Sequence, residues 1–151
     1  MAAQEAGPRL DDQVCFALYA ATRAVTALYR PLLDDLGLTY PQYLVMLALW
    51  EHDELAVNEL GRLLHLDSGT LSPLLKRLEK LELVERRRRA DDERSVRVTV
   101  APAGRALRAK AVPLPGVVGE AMGLDERQLD ELRRTLRGVT ESVNDYRATL
   151  G

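Results

Sequence analysis

The chain holds 151 residues, the length of one domain or of a small domain with added dimerisation helices, and its 46% hydrophobic and 29% charged residues suit a protein with a sizeable buried core. Its longest apolar run, Tyr43 to Trp50, is too short to span a bilayer, no signal peptide opens the chain, and a single cysteine builds no internal disulfide, so the reading is a cytoplasmic protein with no membrane partner. Net charge is −2, yet of 21 basic and 23 acidic residues nine and six fall between Lys76 and Arg97, which makes a local basic patch on an otherwise acidic chain.

Met1 to Pro8 is small and polar and reads as a loose arm. From Val14 the apolar residues Leu18, Ala21, Val25, Leu28 and Leu32 recur at spacings of four and three, which predicts a long helix to about Leu36, stopped by Gly37 and kinked at Pro31. That seam exceeds what a small core needs, so part of it is expected to pack on another helix or another subunit. Beside it runs a second stripe, Cys15, Tyr19, Thr22, Thr26 and Tyr29. Phenolic hydroxyls near a cysteine can hydrogen-bond a thiolate, the form that attacks peroxides; the other reading is a small buried hydrophobe among core aromatics.

Thr39 or Tyr40 opens the next helix with Pro41 in its first turn, and the run Tyr43 to Trp50, apolar on all sides, predicts a central buried helix. Glu51 to Ala56 reads as a polar break, and Val57, Leu60, Leu63 and Leu64 as a short helix ending at His65. Leu66 to Leu81, LDSGTLSPLLKRLEKL, then joins a cap (Asp67, Ser68) to an apolar face (Leu71, Leu74, Leu75, Leu78, Leu81). The opposite face carries Ser68, Thr70, Ser72, Lys76, Arg77 and Lys80. Hydroxyls at a helix start can meet phosphates or base edges and the cations behind them can neutralise phosphates, although an ordinary amphipathic surface helix has the same pattern. Pro73 fits this helix better if it begins near Gly69. His52 and His65 lack partners at metal-ligand spacing, and no metal or cofactor is expected.

After Leu81 the period changes to two, with Val84, Arg86 and Arg88 before a charged tip and Val96, Val98 and Val100 after it, which predicts a β-hairpin. A helix-turn-helix followed by a basic hairpin predicts a winged helix whose wing lies over the minor groove. Pro102 and Gly104 head a short helix, and Asp125 with Gln128 caps a long one whose Leu129, Leu132, Leu136, Val139, Val143 and Tyr146 keep a seam. The expected fold is mainly α with a small β-hairpin wing: an arm and dimerisation helix over 1–36, a winged helix-turn-helix over 37–104 and C-terminal dimerisation helices over 105–151.

The segments DDERSVRVTV, LDSGTLSPLLKRLEKL and CFALYAATRAVTALYRPLLDDLGLTYPQYLVMLALWE resemble the MarR family of transcriptional regulators, and within it the organic hydroperoxide resistance regulators of the one-cysteine type. The resemblance implies a homodimeric repressor of a pseudo-palindromic double-stranded operator. In it Cys15 senses organic hydroperoxides, and Tyr19, Tyr29 and Tyr40 surround the thiol. It also implies that Ser68, Thr70, Ser72, Lys76, Arg77 and, in the wing, Arg86, Asp92 and Arg94 form the DNA face. With no resolving cysteine, oxidised Cys15 is expected to be trapped by a low-molecular-weight thiol or to oxidise further. Two other functions fit the residues: a MarR-type repressor released by a phenolic ligand beside Tyr29 and Trp50, and a one-cysteine peroxidase, for which the chain offers no acid–base partner or cofactor loop.

Overall fold

The computed structural model describes residues 7–89 and 92–151, with the backbone alone for Arg89 and for residues 92–95. The chain divides into two compact units, one running to Val112 and one from Pro113 to Gly151. In the first, a 3-10 turn at Leu10–Asp12 leads into α1 (Val14–Asp34). The helix continues through Pro31 and ends where Gly37 takes φ +68°, letting the Leu38 N–H donate back to the Leu33 carbonyl at 3.3 Å. Two residues later α2 (Tyr40–His52) starts on a capping box: Thr39 accepts from the Gln42 N–H, and Gln42 accepts from the Thr39 N–H.

Because α2 is apolar on every side, it serves as the core around which the unit packs, with Tyr43, Val45, Met46, Leu49 and Trp50 buried. Trp50 places its one polar atom by donating Nε1–H to the Gly104 carbonyl at 2.9 Å, at the start of α5 (Pro102–Ala111). A Cβ on Gly104 would sit 2.1 Å from the Leu83 carbonyl oxygen, so this close approach requires glycine.

The expected polar break at Glu51 to Ala56 takes another form. Helix α2 continues to His52, and Glu54–Ala56 forms strand β1 after Asp53 adopts φ +63°. Strands β2 (Val84–Arg89) and β3 (Asp92–Val100) form the hairpin, and the antiparallel sheet has the order β1-β3-β2. Its register aligns Leu55, Val98 and Arg86 in one row and Val84 with Val100 in the next, so these residues share a face, and all of them except Arg86 are buried.

In the second unit, the stretch around Pro113, Pro115 and Gly116 forms a helix, α6 (Leu114–Ala121), in which Pro115 falls in the first turn, where its missing N–H costs no helical hydrogen bond. Helix α7 (Glu126–Thr149) starts at the Asp125–Gln128 capping box. No residue of α7 is buried; Leu132, Leu136, Val139, Val143 and Tyr146 are all exposed along one seam.

Candidate nucleic-acid interface and thiol site

Helix α3 (Val57–Leu64) turns at His65, which takes the left-handed conformation, and the chain re-enters helix at α4 (Ser68–Lys80). The turn is tight because Gly61 lets the Leu66 carbonyl approach: a Cβ there would lie 2.9 Å from that oxygen. Asp67 caps α4, its carboxylate accepting from the Thr70 N–H at 2.7 Å, and this bond holds the Asp67 carboxyl below its ordinary range. The helix begins at Ser68, one residue before Gly69, yet Pro73 still lies beyond the first turn and leaves the Gly69 carbonyl without its usual i+4 donor.

Leu71, Leu75 and Leu78 anchor α4 to the core, while Leu74 is half-buried and Leu81, which ends the helix, is exposed. On the outer side Ser68, Thr70, Lys76 and Arg77 are exposed and Ser72 is half-buried. Pro73 is exposed between them, which adds an apolar ring to a face expected to be hydroxyls and cations.

Of the wing residues, Arg86 reaches back to α4: its Nε and Nη2 donate to the two carboxylate oxygens of Glu79, each at 3.2 Å. On β3, Arg97 pairs with Glu54 at 3.3 Å and with Glu59 of α3 at 3.5 Å. The side chains of Asp92 and Arg94 lie outside the described residues.

The thiol site is divided within one chain. Cys15 is exposed in the first turn of α1, and Tyr19, one turn on, is also exposed, with the Arg23 guanidinium carbon 5.6 Å from its ring centre. Tyr29 lies fourteen positions after Cys15, roughly 21 Å along the helix. There it joins Tyr40 and Tyr43, with ring centres 4.7 and 5.6 Å away, and Trp50 closes the group 6.5 Å beyond Tyr43. Burial, with smaller contributions from the Tyr43 and Tyr40 phenols, pushes the Tyr29 hydroxyl up to about 12, and burial raises Tyr40 and Tyr43 as well. These phenols stay protonated, and so able to donate, at any ordinary pH. The structure thus brings Tyr29 and Tyr40 together and leaves Cys15 and Tyr19 roughly 21 and 15 Å back along α1. Tyr43, expected only as part of a central buried helix, is the third phenol of the cluster.

A helix-turn-helix with hydroxyls and cations on its second helix, followed at once by a basic antiparallel hairpin, defines a winged helix-turn-helix. Comparison with known proteins narrows this. The pattern of the transcriptional regulators SarA/Rot matches residues 27–110. The organic hydroperoxide resistance transcriptional regulator of Bacillus subtilis (strain 168) is 47% identical over 126 residues, covering 83% of this chain and 84% of the relative. The HTH-type transcriptional regulator TtmR of Methylorubrum extorquens (strain PA1) is 47% identical over 142 residues, covering 94% of this chain and 71% of the relative. Among solved structures, reduced AbfR bound to DNA aligns with a TM-score of 0.71 at 35% identity, over 87% of this chain and 94% of that one. AbfR has also been solved overoxidized and bound to DNA, and with a disulfide formed. The chain belongs to the MarR family of transcriptional regulators, in its organic hydroperoxide resistance group.

Proposed function

We propose that the protein is a homodimeric repressor that binds a pseudo-palindromic operator and releases it when an organic hydroperoxide oxidises Cys15. The observation that carries this reading is the exposure of the chain's single thiol on the first turn of α1, a helix whose apolar Val14 and Phe16 are also uncovered within one chain. A second copy would bury that face and bring phenols to the thiol. The exposed seam of α7 offers the same kind of surface, so the stretches 1–36 and 105–151 serve dimerisation while 37–104 reads DNA. Such a protein works in the cytoplasm, where its operator is.

In the resting dimer, α4 enters the major groove with Ser68, Thr70 and Ser72 near its start and Lys76 and Arg77 against phosphates, and Arg94, steadied by Asp92, enters the minor groove. Arg86 comes to this face already bound to Glu79. In the sensing step the Cys15 thiolate attacks the outer oxygen of the hydroperoxide: the O–O bond breaks, an S–O bond forms, and the leaving alkoxide takes a proton to become an alcohol. Tyr19, with Tyr29 and Tyr40, donates hydrogen bonds to the reacting oxygens. A low-molecular-weight thiol then displaces hydroxide from the sulfenic acid as water, leaving a mixed disulfide too bulky for the reduced packing.

A gel shift with the chain's own upstream DNA, with and without tert-butyl hydroperoxide, tests this. The parent is expected to bind and to let go on oxidation, while Cys15→Ser binds equally and stays bound. Release of Cys15→Ser by hydroperoxide would sink the thiol-sensor reading.

A further inference from the structure

We infer that Arg86 is a positioning residue rather than a phosphate ligand: its bidentate pair with Glu79 sets the angle between the recognition helix α4 and the wing. This rests on the operator-binding reading above. Among four consecutive arginines, Arg86 to Arg89, a position next to the recognition helix would ordinarily be assigned to DNA. Strand register argues otherwise. Arg86 shares its row with Leu55 and Val98, both buried, so it stands on the sheet face turned to the helices. Arg87, one residue on, belongs to the other face and pairs with Glu85 of its own strand at 3.0 Å.

The contact itself has the fork geometry that fixes orientation as well as distance. Nε meets one Glu79 oxygen and Nη2 the other, both at 3.2 Å. The guanidinium side chain is 27% exposed, and the hydrogen bonds from Arg86 hold the Glu79 carboxyl below its ordinary range. A cation whose charge is already met by a carboxylate releases no counterion when phosphate approaches, and a phosphate placed there would face Glu79 as well. The neighbouring strand has a matching device: Arg97 ties β3 to Glu59 in the first turn of α3. Both helices of the helix-turn-helix are therefore tied by an ion pair to a wing strand. A dimer that must seat two helices and two wings at once depends on that angle in each protomer, although an exposed ion pair adds little to folding stability.

The test is a charge swap, Glu79→Arg with Arg86→Glu, beside a double neutralisation, Glu79→Gln with Arg86→Gln, both read as operator affinity against salt. Each pair of changes leaves net charge as it was. If the pair positions the wing, the swap should bind within about threefold of the parent at the parental salt slope, while the neutral pair should lose about fivefold at that same slope. If Arg86 instead touches phosphate, both variants should lose slope, by about 0.9 per protomer, and the swap should bind worst of all. That result overturns the inference, as does parental affinity in the neutral pair. Amide exchange across Arg86–Arg89 without DNA gives an independent readout and should quicken in the neutral pair and return in the swap; unchanged exchange in the neutral pair also counts against the clamp. A parent that binds no upstream DNA would undo the operator reading itself, while the amide-exchange comparison would still decide whether the pair clamps the strand to α4.

Discussion

The DNA-reading part and the sensing part of this chain differ in what one copy supplies. Among the described residues of the helix-turn-helix and wing, the anchors are in place within the chain: Leu71, Leu75 and Leu78 are buried, α4 is capped, and Arg86 and Arg97 have their carboxylates. At the start of α1, Val14 and Phe16 face outward, as do Leu132, Leu136, Val139 and Val143 of α7, and the thiol lies far from the phenol cluster. A winged helix can be positioned by local packing, whereas under the proposed function the sensor on this long helix would gain its second half from another copy. Linking chemistry to assembly in this way would give oxidation a direct means of disturbing how the two DNA-reading units are held.

The largest break in this contrast should come from the α7 seam. Val143 is 52% exposed, so Val143→Asp removes little packing from its own protomer. It should nevertheless turn a dimer into a monomer in light scattering and lower operator affinity by about two orders of magnitude, because a half-site bound alone loses the benefit of linkage. A dimer of parental affinity would take α7 out of the interface. A smaller effect belongs to the wing: Arg94→Ala should weaken binding about tenfold and lower the salt slope by about 0.9 per protomer. An unchanged slope would remove Arg94 from the phosphates and the minor groove.

How far the sequence reveals all this depends on the range of the interactions. Helix α2, the apolar face of α4 and the Asp125–Gln128 capping box rest on contacts a few residues apart, and the hairpin on an alternation that its own two strands carry, so periodicity and caps expose them, whereas the Gln42 half of the α2 capping box goes unread. Strand β1 is three residues long and exists because β3 pairs with it more than forty positions later, which no local pattern records. Helix α6 was hidden by prolines that break a helix interior yet suit a first turn. The pairing of Arg86 follows from its row on the sheet and from Glu79 on a different element, so the basic run alone suggests a solvated or DNA-facing cation. The aromatic stripe was legible as a stripe, but that Tyr29 turns toward Tyr40 and Tyr43 depends on how α1 crosses α2.

The phenol cluster makes a modest prediction about pH. Tyr29 keeps its proton to about 12 when folded against an ordinary value of 10.0, so the folded chain binds more protons than the unfolded one between these limits. Its contribution to stability is complete below pH 10 and is lost as pH rises towards 12. Phenolate absorbance should therefore show a late step whose amplitude falls by one tyrosine in Tyr29→Phe, the raised Tyr40 and Tyr43 supplying the rest. A parental alkaline titration in that variant would mean that Tyr29 is not held in the cluster.

The smallest expected effect is no change, and it decides whether the sensor is shared. Cys15 and Tyr29 are fourteen positions apart on α1, roughly 21 Å along the axis, farther than a tyrosine side chain extends. Fourteen steps of about 100° nonetheless return the two to within about 40° of one face, so an antiparallel second α1 crossing near Thr22 would set Tyr29 of one protomer opposite Cys15 of the other. The two thiols would then stand well beyond the roughly 4.4–6.8 Å Cα separation of a disulfide, so a Cys15–Cys15 bridge between subunits should not form. Consider a mixed dimer in which one chain carries Cys15→Ser and the other Tyr29→Phe. Across the interface the remaining Cys15 meets an intact Tyr29 and should oxidise at the parental rate, while the Tyr29→Phe homodimer, lacking both hydroxyls, should be slower. Tyr29→Phe keeps the ring against Tyr40 and Tyr43, so the comparison isolates the hydroxyl from the packing. A mixed dimer as slow as the homodimer would place the thiol and its phenol in one chain, and the contrast between a complete DNA reader and a half-built sensor would fail.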